Sequence, residues 1–260
     1  PDGWVMVMCD VGQGDGMVLN AGRGAAVVVD TGPEPAKMRQ CLEELDIDRI
    51  ALVVLTHYHA DHVSGLPAVL DGWSVGEIEV SPLADPPGEA RKVTHWAEQA
   101  AVPVTVAVAG ERRTVGDLTW RVLGPLQTSP AGGDDSGAEG SAPNNASVVM
   151  LVRSHGLRVL MSGDAEPPEQ GDILATGADL HVDVLKVAHH GSANQDPGFV
   201  FASQAPLAVI SVGADNDYGH PSAHTLGLLR QLGARVYRTD QDGDIAIVKR
   251  AGLPAVVTSE

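Results

Sequence analysis

The apolar run Ile50-Ala51-Leu52-Val53-Val54-Leu55 ends directly in Thr56-His57-Tyr58-His59-Ala60-Asp61-His62. A short, continuous apolar run reads as a strand buried on both faces. The chain must therefore build a covered sheet and load one strand end with imidazoles and a carboxylate. His57 and His59 are two positions apart, so extended backbone projects them to the same side, while Asp61 and His62 follow where the chain turns towards a helix. Neutral imidazole and carboxylate are the ligand types that zinc, manganese or iron accept. Four such side chains cannot complete two coordination spheres, so further ligands are expected at other strand ends. "VLMSGD" breaks at Asp164 and "VLKVAHHGS" breaks at His189 and His190. Taken alone, Asp164 reads as a helix N-cap and the histidine pair as loop residues. Beside the first cluster they read as ligands, with Asp164 able to bridge two cations.

The rest of the chain alternates in the same style. Val- and Met-rich strands at "WVMVMCDV", "GMVLN" and "AAVVVDTG" are separated by glycine turns, and a helix is predicted at "EPAKMRQCLEELD", where Met38, Leu42 and Leu45 share one face. After "RIALVVL" come a helix near "LPAVLDG", a strand at "VGEIEVS" and a helix through "EARKVTHWAEQAA". A second half repeats the plan with strands "LTWRVLG", "SVVMLVRS", "LRVLMSGD", "VDVLKVAHH", "LAVISVG", "RVYRT" and "DIAIVKR" among helices after Pro168, near "FVFASQ" and at "SAHTLGLLRQLG". Strand runs followed by helices, twice over, predict two sheets packed face to face with helices outside. Residues 127–143, rich in Gly, Ser, Ala, Pro and acid, have no apolar periodicity and read as a flexible surface loop. Candidate ligands fall on both sides of this loop, so residues 1–260 are expected to form a single domain with one composite site.

A charge of −17 is unfavourable for a protein that coats nucleic acid, because Lys and Arg supply most non-specific phosphate affinity. It does not oppose an enzyme whose phosphate contacts run through cations. No apolar stretch is long enough to span a bilayer, and the start lacks the basic and apolar regions of a signal peptide. The first residue is Pro and not Met, so a processed product or a domain cut from a longer protein is expected. Cys9 and Cys41 permit one disulfide but no framework, and Cys9 also reads simply as a small buried side chain.

Eight stretches carry a family resemblance: "DVGQGD" (10–15), "VVVDTG" (27–32), "LTHYHADHVSGL" (55–66), "NNASVVMLV" (144–152), "LMSGDAE" (160–166), "DVLKVAHHGS" (183–192), "ISVGADNDYGHP" (210–221) and "RTDQDGDI" (238–245). In this order the chain resembles the metallo-β-lactamase-like domain of the ComEC/Rec2 family of DNA-uptake competence proteins. The resemblance implies an α/β fold, an αββα four-layer sandwich of two mixed β-sheets flanked by helices. It also implies two divalent metal ions, manganese or zinc, in a domain attached to a membrane channel on its extracytoplasmic side. By that resemblance His57 and His59 bind one metal, Asp61, His62 and His189 bind the other, and Asp164 bridges them. Asn145 or water takes the place of a further histidine that the superfamily often supplies.

The function implied is a metal-dependent deoxyribonuclease that degrades the DNA strand not imported during transformation, by hydroxide attack between two metals. Asp61, His190 and His220 form the expected catalytic set, with His190 or His220 as proton donor because imidazole titrates in the useful range. Asp30 is expected to orient a ligand histidine and Asp15 to line the site, while Ser192, Asn216 and Tyr218 are candidate phosphate or sugar contacts. The expected partners are single-stranded DNA, weakly bound by the isolated domain, and the channel and other domains of a parent protein. Two alternatives stay open: a phosphodiesterase acting on another substrate, such as a phosphocholine-bearing polymer, and a non-catalytic module docking onto a channel.

Overall fold

The computed structural model describes residues 3–126 and 141–259. Its first sheet is built from β1 (Trp4–Met8), β2 (Gly16–Gly22), β3 (Ala25–Thr31), β4 (Arg49–Leu55), β5 (Ser74–Val75), β6 (Ile78–Val80) and β7 (Val104–Val106). The second contains β8 (Arg112–Val115), β9 (Leu118–Gly124), β10 (Val149–Ser154), β11 (Leu157–Met161), β12 (Val184–Lys186), β13 (Leu207–Ile210) and β14 (Arg235–Arg238). The chain then returns to the first sheet with β15 (Ile245–Arg250) and β16 (Leu253–Thr258). The strand orders are β16-β15-β1-β2-β3-β4-β6-β7, with β5 on β4, and β14-β13-β12-β11-β10-β9-β8.

Each sheet has an antiparallel half and a parallel half. In the first, β3, β4, β6 and β7 run parallel; in the second, β11 to β14 do. Parallel neighbours need crossover connections, and these supply the covering helices. α1 (Pro35–Glu43), α3 (Leu66–Gly72) and α4 (Pro87–Gln99) cover the first sheet, and α6 (Pro167–Ala175), α7 (Pro197–Ala202) and α8 (Ala223–Leu232) cover the second. α2 (Ala60–Val63) and α5 (Ser141–Asn145) are short, as is α9 (Thr239–Asp242).

Three apolar layers result. One lies between the sheets around Met6, Leu19, Val54, Met150 and Val159; the others seal the helices onto the outer faces, with Met38, Leu42 and Leu45 of the α1 region in one and Ile173, Phe199 and Leu229 in the other. This is the two-sheet sandwich flanked by helices. With few aromatics to fill it, the interior is packed by Val, Leu, Met and Ala.

Residues 127–140 of the low-complexity stretch lie outside the described residues. Its last three residues are not loop but the start of α5, where a proline is tolerated because the first turn of a helix has no partner for its missing N–H. Cys9, just past β1, is bonded to Cys41 of α1, with Cα atoms 5.9 Å apart, so one of the open readings of the cysteines is the one realised.

Candidate metal centre

The functional side chains gather at or just past the carboxyl ends of strands. Asp30 closes β3, residues 56–62 leave β4, Asp164 follows β11, and His189 and His190 follow β12. Open α/β sheets bind ligands at this edge because crossover loops there converge while the strands beneath hold them rigid. Gly14 lets the β1–β2 loop press against Asp61: a Cβ at position 14 would collide with the Asp61 carbonyl, and Asp15 N–H donates to that same oxygen at 3.2 Å.

Asp61, His62, Asp164 and His190 each offer one ligand atom, and these atoms all lie within 4.8 Å of one another. His62 Nε2 and His190 Nε2 each stand 3.3 Å from Asp164 Oδ2, and His190 Nε2 is 3.2 Å from Asp61 Oδ2. Both imidazoles are turned by groups on their far side. Asp30 Oδ2 sits 2.9 Å from His62 Nδ1, and the same carboxylate accepts hydrogen bonds from the Thr56 N–H and hydroxyl, both at 2.7 Å. His190 Nδ1 lies 3.0 Å from the Ser211 carbonyl and 3.3 Å from Asp15 Oδ1. An acceptor on Nδ1 places the ring proton there and leaves Nε2 with its lone pair facing the cluster.

The remaining expected residues are distributed around this group. His57 Nε2 meets His59 Nδ1 at 2.9 Å, and the His57 ring lies 4.0 Å from that of His62, so this pair stands beside the four-donor group and not inside it. His189 lies at the margin of the group: its Nδ1 is 3.5 Å from Glu166 and its Nε2 3.9 Å from Asp164. It is thus His190, expected as proton donor, that joins Asp61, His62 and Asp164, with His189 behind it. Asp30, His189 and His190 all hold positive φ, which costs non-glycine residues on the order of 1–3 kcal/mol each and persists where surrounding contacts over-determine the backbone.

His220 stacks on exposed Tyr218 with ring centroids 5.6 Å apart and stands 5.5 Å from the His189 ring. Burial, then His189 and His190, push its pKa down to about 4, so it is a neutral imidazole at neutral pH. Asn216 spends its amide on the Gly213 and His220 carbonyls and accepts the His220 N–H, clipping the loop that carries His220. Asn145 accepts the N–H groups of Glu166 and Glu169 and so caps α6 from outside. Ser192 Oγ accepts the Asn194 N–H within its own turn.

Sequence reasoning missed Lys186, Ser147 and Thr56. Lys186 is fully buried in β12; its ammonium pairs with Asp15, donates to the Gly163 carbonyl at 2.8 Å and lies 3.7 Å from Asp164. Ser147 Oγ accepts the Asp164 N–H at 3.1 Å and lies 3.4 Å from His57 Nδ1. A buried lysine inside an apolar strand was the available signal, since lysine is almost never fully buried unless paired.

The donor set fits a divalent cation. His62 Nε2, His190 Nε2 and Asp164 Oδ1 are buried without a hydrogen-bond partner among the described residues, a costly arrangement unless something else binds them. Burial opposes charge on both imidazoles, yet the surrounding carboxylates, Asp164 foremost, raise His62 and His190 well above the usual histidine range. Burial also opposes ionisation of Asp164, but His190 and His62 hold its carboxyl well below the ordinary value. A cation bound there would take the place of the protons that these carboxylates draw onto the two rings, and the two nitrogens and two oxygens suit zinc, manganese or iron.

Comparison with known proteins bears on the family and the fold. The family model described as the metallo-beta-lactamase superfamily matches residues 9–196. The chain is 29% identical over 260 residues to ComE operon protein 3 of Bacillus subtilis (strain 168), covering 92% of this chain and 32% of that protein. To competence protein ComA of Neisseria gonorrhoeae it is 26% identical over 258 residues, covering 92% and 33%. The chain therefore spans about a third of the length of these curated relatives. Its backbone also resembles CmlA, a diiron β-hydroxylase from Streptomyces venezuelae, with a TM-score of 0.60 at 17% identity over 99% of this chain and 54% of that one, a likeness of fold.

Proposed function

Because the chain belongs to the metallo-beta-lactamase superfamily and has competence proteins among its relatives, we propose that it is a metal-dependent phosphodiester hydrolase acting on single-stranded DNA. The observation that carries this reading is the convergence of two oriented, unpartnered imidazole nitrogens on two carboxylates at one strand edge. Asp61, His62, Asp164 and His190 would hold the metal, with His57 and His59 beside them as donors for a second. A divalent cation held there supplies Lewis-acid polarisation of a phosphoryl oxygen and lowers the pKa of water.

The chain's own groups do the remainder. Asp30 and Asp15 fix the two ligand rings, so the donor geometry exists before substrate arrives, which is what preorganisation requires. Lys186 balances Asp15 and keeps that carboxylate ionised in a dry site. His220, neutral at physiological pH, presents an imidazole N–H towards developing charge on a leaving oxygen, and exposed Tyr218 offers a stacking face for an unpaired base. In a longer parent protein this domain would remove the strand that is not imported, on the extracytoplasmic side of a membrane. The Cys9–Cys41 disulfide favours that side, because such bonds persist in oxidising compartments.

Digestion of a single-stranded oligonucleotide with Mn²⁺, Zn²⁺ or Mg²⁺ tests the reading. Asp164→Ala should abolish metal-dependent digestion, a fall of at least about 10²-fold, with the fold retained by circular dichroism. Undiminished digestion by that variant, or turnover of nitrocefin in place of oligonucleotide, would refute it.

A further inference from the structure

Five of the chain's 17 Lys and Arg residues, namely Arg112, Arg113, Arg121, Arg153 and Arg158, line one groove of about 530 Å³ on the second sheet. The groove shares no lining residue with the metal centre. Arg158 lies near the start of β11, whose other end leads to Asp164, and Ala178 and Asp179, which close the groove, follow α6, whose other end begins at the centre.

Strand register explains the concentration. Arg112 of β8 is paired with Arg121 of β9, and Arg153 of β10 with Arg158 of β11. Arg121 also pairs with Leu151, and Thr119 with Arg153, so these side chains share the outer face of the sheet. Like charges directly opposite one another destabilise a sheet, and this chain builds two such pairs side by side although its net charge is −17. Arg158 is held by Asp179 and Arg113 by Glu77 and Glu79 of the facing sheet edge. Arg112, Arg121 and Arg153 are exposed, and their side chains have no ion pair or hydrogen bond among the described residues.

Guanidinium forks match phosphate oxygens two at a time, and neighbouring strands space them for a chain of phosphates. The groove is concave, its apolar members Leu123 and Leu151 are covered or half-covered, and no large apolar side chain protrudes to enter a bilayer. A flexible, narrow polyanion fits that shape better than a flat membrane.

We propose that the arginine groove of β8 to β11 is a second, non-catalytic site that holds the phosphate backbone of single-stranded nucleic acid at a distance from the metal centre. This deepens the function proposed above and rests on it for the identity of the polyanion. Counter-ion release makes such binding steeply salt-dependent, with a contribution of about 0.7 to the log–log slope for each phosphate contacted on a single strand.

The test uses the 260-residue chain with excess EDTA, so that no hydrolysis occurs, and fluorescence anisotropy of a labelled single-stranded oligonucleotide across a salt series. Arg121→Gln/Arg153→Gln should weaken binding by about tenfold or more at low salt and flatten the slope by about 1.4. The same double variant should hydrolyse bis(p-nitrophenyl) phosphate like wild type once metal is restored. Asp164→Ala should bind the oligonucleotide like wild type. Wild-type affinity and slope in the double variant would overturn the proposal, as would binding of phosphatidylglycerol vesicles without binding of oligonucleotide. If Asp164→Ala digests DNA normally, the hydrolase reading falls while the binding result is judged separately.

Discussion

Lys186 carries its charge in an environment with no water to solvate it. Burial should neutralise a lysine, but Asp15 and then Asp164 outweigh that and raise its pKa above the usual value. Removing one member of a buried ion pair leaves the other charge stranded, at a cost of about 3–5 kcal/mol. Lys186→Met is therefore expected to lower unfolding free energy by about that amount in chemical denaturation, while Lys186→Met/Asp15→Leu recovers much of it. Full stability in the single variant would contradict the pairing. At this scale the donors Asp61, His62 and Asp164 were legible because their types are rare together at a strand end. Two roles could not be read from types alone. His189 and His190 are adjacent histidines, and which one faces the carboxylates depends on two successive left-handed residues that no pattern announces. Lys186, a lysine inside an apolar strand, signalled a buried pair, but its partner Asp15 was settled only when the β1–β2 loop folded over it.

Among the elements, β1 and α1 are joined by a covalent tie, since Cys9 and Cys41 close a loop with a sequence separation of 32. Closing a loop of that length removes chain entropy from the unfolded state worth roughly 3.5 kcal/mol. Cys9→Ser/Cys41→Ser should lose about that much stability, read as a lower urea midpoint with a steeper slope because the unfolded chain expands, and adding dithiothreitol to the unmodified chain should shift its midpoint in the same direction. Strands with continuous apolar runs, such as β3 and β4, and helices with an apolar face, such as α1 and α4, were evident in the sequence. β7, β8 and β16 were not. They lie at sheet edges, where β7 is exposed along its length and β8 and β16 are at best half-buried, so they carry little of the alternation that burial imposes.

The whole molecule places the candidate metal centre across the join between its sheets: Asp61 and His62 leave a strand of the first sheet, Asp164 and His190 leave strands of the second. A cation bound to all four stabilises the sandwich as a unit, by about 2.7 kcal/mol when free metal exceeds the dissociation constant a hundredfold. Zn²⁺ or Mn²⁺ added to EDTA-treated protein should raise the melting temperature, and Asp164→Ala should abolish most of that rise; an equal rise in both proteins would place the ion elsewhere. Local patterns in the chain specified the sandwich, because burial periodicity and glycine turns act over a few residues, and they specified which strand ends carry ligands. The pairing of Asp15 with Lys186 and His190, the turn of His62 by Asp30, and the alignment of four strands that gathers arginines into one groove all join residues far apart along the backbone. Those contacts exist only after the sheets have docked, since packing and register, and not neighbouring residue types, set which side chains meet.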